Sequence, residues 1–342
     1  MTAMVLRIGG MSGKIPRRLV RINFLLACVL FAVFCLGLFG GTYPVSPGDI
    51  VTVLSGGGDE VLRMVVLDNR MPRLLTAVGV GMAFGMAGEM IQTLLRNPLA
   101  SPDVIGFSAG AGLGAVTTVA ITGGTFFVLP GAVVGGAMAA FLLLALSWRG
   151  GFRPGALVLT GIGLTMTLGV ITDLLMIRLD ANNVGELVKW IVGSLSARSW
   201  MDTGLIWIGL TLVAPLAFWH QFDLARLNLA DDVAISLGQR LGLGRVVTVL
   251  LAVALVALGV AAAGPLPFVA FVAGPIAHGL TGAPRPTLLS ATLVGGLVTL
   301  LADQAAQMLP GFYVLPAGIF TALIGAPVLI WVLVQQSKRQ RL

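Results

Sequence analysis

The chain has 342 residues, of which 57% are hydrophobic and only 10% charged, with a mean hydropathy of +0.99. A soluble domain carries about 25% charged residues, so this composition excludes a water-covered globule. Apolar runs long enough to cross a bilayer, about 20 residues each, recur from end to end and make the chain a polytopic, all-α membrane protein. The net charge of +7 does not indicate a nucleic-acid binder, because the cations sit at the ends of apolar spans and not on one face. A transmembrane barrel would need short alternating segments, which the sequence lacks.

In chain order the apolar pattern predicts ten spans, at 22–40, 74–95, 104–121, 127–147, 156–177, 204–219, 246–263, a short 268–280, 288–308 and 316–334. The basic leader before the first span (Arg7, Lys14, Arg17, Arg18, Arg21) resembles a signal peptide but has no small-residue cleavage site after it, so the segment reads as a retained span. Cys28 and Cys35 lie within it and read as small core hydrophobes. With both termini in the cytoplasm, ten crossings leave fifteen Lys/Arg inside (Arg7, Lys14, Arg17, Arg18, Arg21, Arg96, Arg149, Arg153, Arg226, Arg240, Arg245, Arg285, Lys338, Arg339, Arg341) and six outside (Arg63, Arg70, Arg73, Arg178, Lys189, Arg198). That asymmetry satisfies the positive-inside rule.

Two longer stretches do not span. Residues 41–72 fall outside. Residues 221–245 fall inside and read as two short helices broken by a turn, with Asn228 or Asp231 as cap and Gly238 as stop. This second stretch is the natural docking surface for a soluble partner. Between them, Glu186–Gly193 is amphipathic and too short to cross, which predicts an interfacial helix with Trp190 and Trp200 at headgroup level.

The chemically informative residues are few. Gly81 and Gly85, and Gly106, Gly110 and Gly114, recur at four-residue spacing and predict tight helix crossings. Gly79-Val80-Gly81 follows no strand, and Gly13-Lys14 lacks the remainder of a phosphate-binding loop, so neither predicts nucleotide binding. Glu89, Asp173 and Asp303 fall inside predicted spans, with no basic residue in a span to pair with them. They are either carboxyls hydrogen-bonded across helix interfaces or the relay of a proton-coupled secondary transporter. His220 and His278 stand alone, without the spacing of a metal site. Gly264-Pro265-Leu266-Pro267 and Gly274-Pro275 break the short eighth span, and broken helices at membrane depth belong inside protein or beside an aqueous path. The stretches 74–107 and 246–280 share a plan of Gly/Ala-rich span, proline break and short helix, which suggests an inverted repeat.

Several ordered motifs carry a resemblance. Arg70-x-Pro72-Arg73, a glycine-rich span, Gln92-x4-Asn97-Pro98-Leu99-Ala100 and Gly106-Phe107-x2-Gly110-Ala111 are followed by Leu229-Ala230-Asp231-Asp232-x-Ala234-x2-Leu237-Gly238, Leu315-Pro316-Ala317-Gly318 and Gly325-Ala326-Pro327-Val328. Together they resemble the FecCD-type permeases, the membrane subunits of type II ABC importers for ferric siderophores, haem and cobalamin, over nearly the whole chain. The resemblance implies a single permease domain of ten helices that dimerises around a translocation path, with two ATPase subunits below and a periplasmic or lipid-anchored binding protein above. ATP and Mg²⁺ would be held by the ATPases, and this chain would hold no catalytic residue, metal or cofactor.

By position, Arg70 and Arg73 would dock the binding protein, Asn97 and Leu99 would lie at the cytoplasmic gate, and Arg226, Leu229, Asp231, Asp232, Leu237 and Gly238 would couple to the ATPase. Gln307 stands where relatives often have a basic residue, and Gly274, Pro275 and His278 replace the usual Pro-His and Arg. Ser101-Pro102-Asp103 is the form typical of one of the two unlike permeases in siderophore systems. The reading is an inner-membrane permease for an iron–siderophore working with a second, similar permease; a homodimeric cobalamin or haem importer is the alternative within the family.

Overall fold

The computed structural model describes residues 3–8, 11–41, 43–124, 128–147, 154–308 and 315–340. Arg149, Arg153 and Arg341 of the charge count lie outside them. A short antiparallel hairpin, Ala3–Ile8 with Met11–Pro16, opens the chain. No apolar alternation in the basic leader announces it.

Helix α1 (Arg17–Phe39) is followed by α2 (Pro47–Leu54), α3 (Glu60–Arg63), a π-helical turn (Met64–Arg70) and α4 (Met71–Leu94). Then come α5 (Phe107–Thr122), α6 (Val128–Ser147), α7 (Pro154–Met176), α8 (Ala181–Val192), α9 (Trp200–Leu227) and α10 (Asp231–Ser236). Helices α11 (Leu241–Ala263), α12 (Val269–Thr281), α13 (Leu288–Gln307) and α14 (Ala317–Gln340) complete the chain. Among the described residues, eight helices are long and apolar enough to cross a membrane, and α5 and α12 are shorter apolar helices. These ten coincide with the ten predicted spans. At 1.5 Å per residue α5 and α12 measure only about 24 and 20 Å, short of the roughly 30 Å hydrocarbon layer.

The sequence places 41–72 in a non-spanning stretch, but about two-thirds of it, residues 47–54 and 60–72, is helix. The Ser46 hydroxyl accepts from the Asp49 N–H and the Asp49 carboxylate accepts from the Ser46 N–H, a reciprocal cap that starts α2. From Glu60 the chain runs as one 35-residue helix through the π turn to Leu94. That is about 52 Å, so its first turns project beyond the apolar layer.

This helix is the axis of the fold. In its most apolar window 89% of residues are buried, against 17% for α1 and α7. Helices α9, α11, α12 and α13 pack around α4. Glycines set the spacing: a methyl at Gly81 would strike the carbonyl oxygen of Gly295, one at Gly85 that of Ala291, and one at Gly88 that of Ala270. A second crossing joins α5 to α6, where Gly110 and Gly114 lie against the carbonyls of Gly135 and Gly131. Gly106 differs from the expected packing role. Its φ is +82° at the start of α5, and an added Cβ would make ordinary side-chain contacts, with Thr165 Oγ1 at 3.4 Å and Leu164 at 3.5 Å, and strike no backbone. It serves the turn through its left-handed backbone, not a crossing. The two cysteines also depart from expectation: both are free thiols on sparsely covered α1, Cys28 exposed and Cys35 half-buried.

Candidate functional site: the two polar ends of helix α4

Hydrogen bonds sort the cations into two groups at opposite ends of α4. At the first end Arg70 is only 9% exposed. Its Nη1 donates to the Leu38 carbonyl and its Nη2 to that of Tyr43, both at 2.6 Å. The adjoining π turn aims this side chain at the end of α1. Arg73 meets Asp303 of α13 side-on: Nη2 to Oδ1 at 2.8 Å and Nε to Oδ2 at 2.9 Å, with Gln307 Nε2 donating to Oδ2 at 2.9 Å. The Asp303 side chain is fully buried and that of Arg73 is 13% exposed. The premise that no basic residue within a span could pair with Asp303 is therefore wrong. Hydropathy begins the span only at residue 74, yet α4 begins at Met71, and a partnered arginine is tolerated inside the packed helix where an unpaired one is not. Arg198 joins the same end by donating to the Ala262 carbonyl at 3.1 Å.

At the second end α4 stops at the Asn97 turn. Arg96 has φ +51°, the Asn97 N–H donates to the Gln92 carbonyl at 3.0 Å, and the Asn97 side-chain oxygen accepts from the Leu99 N–H at 2.9 Å. Asn97 is exposed and Leu99 half-buried. Beyond them Ser101 Oγ accepts from the Asp103 N–H, and the Asp103 carboxylate accepts from Ser108 Oγ at 2.6 Å. The Ser-Pro-Asp segment thereby starts a 3₁₀ turn and fixes the entry into α5.

The segment between α9 and α11 differs in detail from its prediction. Its first seven residues, 221–227, are the last turns of α9, which runs unbroken to Leu227, and only α10 is a separate short helix. Neither Asn228 nor Asp231 caps α10; the N-cap is Ala230, with no side-chain bond. Gly238, at φ +79°, does sit at the stop. The Asp231 carboxylate instead joins two arginines, Oδ1 to Arg96 Nη2 and Oδ2 to Arg245 Nη2, each at 2.7 Å. The Arg245 and Arg96 guanidiniums hold this carboxyl below the usual carboxylate range. Arg226 bonds Asp223 at 3.1 Å. Leu229, Asp232, Val233, Ile235 and Leu237 are exposed around the buried anchor Ala234.

A third knot, whose members Glu89, Gln92 and Gly274 the sequence singled out separately, lies inside this end. Glu89 is fully buried, and its Oε1 accepts from the Thr287 N–H at 2.8 Å, at the N-terminus of α13. Gln92 donates to the Phe271 carbonyl at 2.8 Å and accepts from Arg285 Nη2 at 3.1 Å. Gly274 of α12 leaves room for both side chains, since an added Cβ would lie 2.6 Å from Glu89 Oε2. Arg285 is invisible to span prediction because it sits in a loop; Gly88 could have been found, seven residues after Gly81. Asp173 is elsewhere, exposed on α7 and lining a cleft of about 400 Å³ with Ser108, Gly112, Thr172 and Val188. The three carboxylates thus occupy three separate surroundings and form no relay.

The FecCD transport family model matches residues 29–335. The chain belongs to this family. Among FecCD proteins it is 34% identical to the ferric enterobactin transport system permease protein FepG of Escherichia coli (strain K12), covering 95% of this chain and 99% of that protein. It is 35% identical to the Fe(3+) dicitrate transport system permease protein FecD of the same organism, covering 88% and 94%. A solved metal-chelate type ABC transporter in an inward-facing conformation superposes with a TM-score of 0.80 at 27% identity, covering 93% of this chain and 99% of that one. The FecCD chain is thus a multi-pass membrane permease of an ABC importer. The long buried helix ending in the Asn97 turn, and the short helix beside it, belong to a transport protein and not to a catalytic site.

Proposed function

We propose that this chain is the membrane-spanning permease subunit of an importer that moves a ferric siderophore across the cytoplasmic membrane. The full-length match to the FecCD model, with relatives named for ferric enterobactin and ferric citrate, carries the reading. Both termini lie in the cytoplasm, so the Arg70 end of α4 faces outward and the Asn97 end faces inward, the orientation that satisfies the positive-inside rule. A second, similar permease completes the path, the Ser101-Pro102-Asp103 form favouring an unlike partner over a second copy. Two ATPase subunits supply ATP and Mg²⁺, and this chain holds no cofactor. A binding protein delivers the substrate and sets its identity.

The exposed apolar residues of α10, Val233 and Ile235 with Leu229 and Leu237 beside them, lie on the chain's longest polar inward segment and suit the cleft of an ATPase. Arg70 and Arg73 lie at the docking end. Because both guanidiniums are engaged within the chain, they hold the shape of the surface that a binding protein meets. Charge reversal at either should weaken docking; docking that stays unchanged removes the assignment. The central test is uptake of iron-loaded siderophore into proteoliposomes holding the whole complex. Vanadate-sensitive, ATP-dependent uptake supports the proposal, and uptake driven by a pH gradient alone defeats it.

A further inference from the structure

The bond between Asp231 and Arg96 joins two regions that the motifs treat separately, the turn at Asn97 and the segment that faces the ATPase. Asp231 is the first residue of α10, and both of its carboxylate oxygens are engaged within the chain at 2.7 Å. Arg96 immediately precedes Asn97 and grips both sides of the turn into α10, because its Nη2 also donates to the Leu227 carbonyl at 3.0 Å. Arg245, 7% exposed in the first turn of α11, holds the other oxygen against the packed body. Helix α10 itself is lightly attached, since Ala234 is its only buried residue.

A push on α10 therefore has one short polar route into the end of α4. The backbone of Arg96 is held in the left-handed region at φ +51°, where a non-glycine residue is costly and does not accommodate displacement by sliding to a neighbouring conformation. Displacing its guanidinium therefore loads the residue that joins α4 to the Asn97 peptide. That peptide carries the Asn97 N–H, bonded to Gln92, and the Asn97 side chain that caps Leu99. Asp232, one residue on, is exposed.

We infer that Asp231 is a positioning residue, the internal tie that carries motion of α10 through Arg96 to the Asn97–Leu99 turn, and not a contact to the ATPase. The inference rests on the importer reading and divides its coupling segment into an internal link at Asp231 and an outward face at Asp232 and the exposed apolar residues. Ionic links of this exposure contribute little to folding, which suits a connection that must be remade in every cycle.

The test is made on the full complex in proteoliposomes with Asp231→Asn, Arg96→Gln and the double variant. Asp231→Asn is expected to lower siderophore uptake per ATP hydrolysed by about tenfold, within the ordinary range of coupling between sites, while the ATPase subunits still co-purify in the wild-type ratio. The double variant should be no worse than the poorer single one, because both changes break one link. Arg96→Lys, which keeps the charge but not the two-armed grip, should fall between wild type and Arg96→Gln. Loss of ATPase subunits on Asp231→Asn would make the residue a partner contact and overturn the tie. So would wild-type uptake per ATP, or multiplicative losses in the double variant. A wild-type complex that shows no ATP-driven uptake would instead overturn the importer reading; thermal unfolding of the same variants would then still decide whether Asp231 and Arg96 act as one unit.

Discussion

At one end of α4 a guanidinium meets a carboxylate with no exposure at all; at the other, a carboxylate 43% exposed is shared by two guanidiniums. The distances are nearly equal, 2.8 Å at Arg73–Asp303 and 2.7 Å at each contact of Asp231. Surroundings, not geometry, separate the two. Water is excluded from the carboxylate of the first pair and reaches little of its guanidinium, so removing one partner leaves a poorly solvated charge. The second is screened and can open and close at little expense. One end of the helix is built as a fixed joint and the other as a loosely held one, and on the proposed reading the first would keep the shape of a docking face while the second would let a gate change.

The largest expected effect breaks the fixed joint. Asp303→Ala should destabilise the permease by about 3–5 kcal/mol, read as a fall in the thermal unfolding midpoint of the purified complex. Replacing both partners with apolar residues, Arg73→Met with Asp303→Leu, should recover most of that loss, because no buried charge is left over. A double variant as unstable as Asp303→Ala would show that the pair does more than neutralise itself. Next in size, Gly85→Leu sets a side chain against the Ala291 carbonyl and should cost at least the roughly 1–3 kcal/mol of an overpacked core. Gly163→Leu, on the open face of α7 where an added Cβ meets nothing within 4 Å, should leave the midpoint of the isolated chain unchanged or raise it, since leucine is the better helix former by up to about 1 kcal/mol. Equal losses at the two glycines would contradict the assignment of α4 as the buried axis.

The contrast between the two ends was only partly legible in the sequence. Apolar runs locate helices well, because twenty consecutive apolar residues have few alternatives, and so the ten spans and the families of close-packed glycines could be read directly. Hydropathy says nothing of which helix faces which. It therefore could not show that Asp303 meets Arg73 across 230 positions, that Gly81 meets Gly295, or that Glu89 lies against Thr287. It also truncated α4, because Arg70 and Arg73 lower the local average although Arg70 is buried and Arg73 mostly covered by partners. Local signals fared unevenly. Gly238 stops α10 as its residue type suggests, whereas Asp231 looks like a helix cap and is recruited away by two arginines that a local reading cannot see.

Of intermediate size is the cap that starts α9 at the Arg73 end. Ser199 accepts from the Asp202 N–H while Asp202 accepts from the Ser199 N–H at 2.8 Å, and Thr203 one turn on bonds the Pro72 carbonyl at 3.1 Å. Ser199→Ala should cost about 1 kcal/mol in thermal unfolding. A larger loss would mean that the cap also holds the neighbouring end of α4.

The smallest expected effect is at the loosely held joint. Asp231→Asn should cost no more than about 1 kcal/mol in folding, and less as salt is raised, because the carboxylate is more than one-third exposed. Its pH dependence follows from the direction of its shift. Arg245 and Arg96 hold the folded carboxyl below its ordinary value, so the folded state binds this proton less readily than the unfolded chain does. The stabilisation is complete above the ordinary carboxylate pKa of about 3.9 and is lost as pH falls through the lower, folded value. The difference in unfolding midpoint between wild type and Asp231→Asn should stay constant from about pH 5 to pH 8 and shrink only below about pH 4. A difference that closed near pH 6 instead would place the titrating group elsewhere, with His220 the group to examine, since it lies between Asp223 and Thr248 where α9 meets α11. The loosely held joint would then be sensitive to the packing of α9 on α11, and not to its own carboxylate.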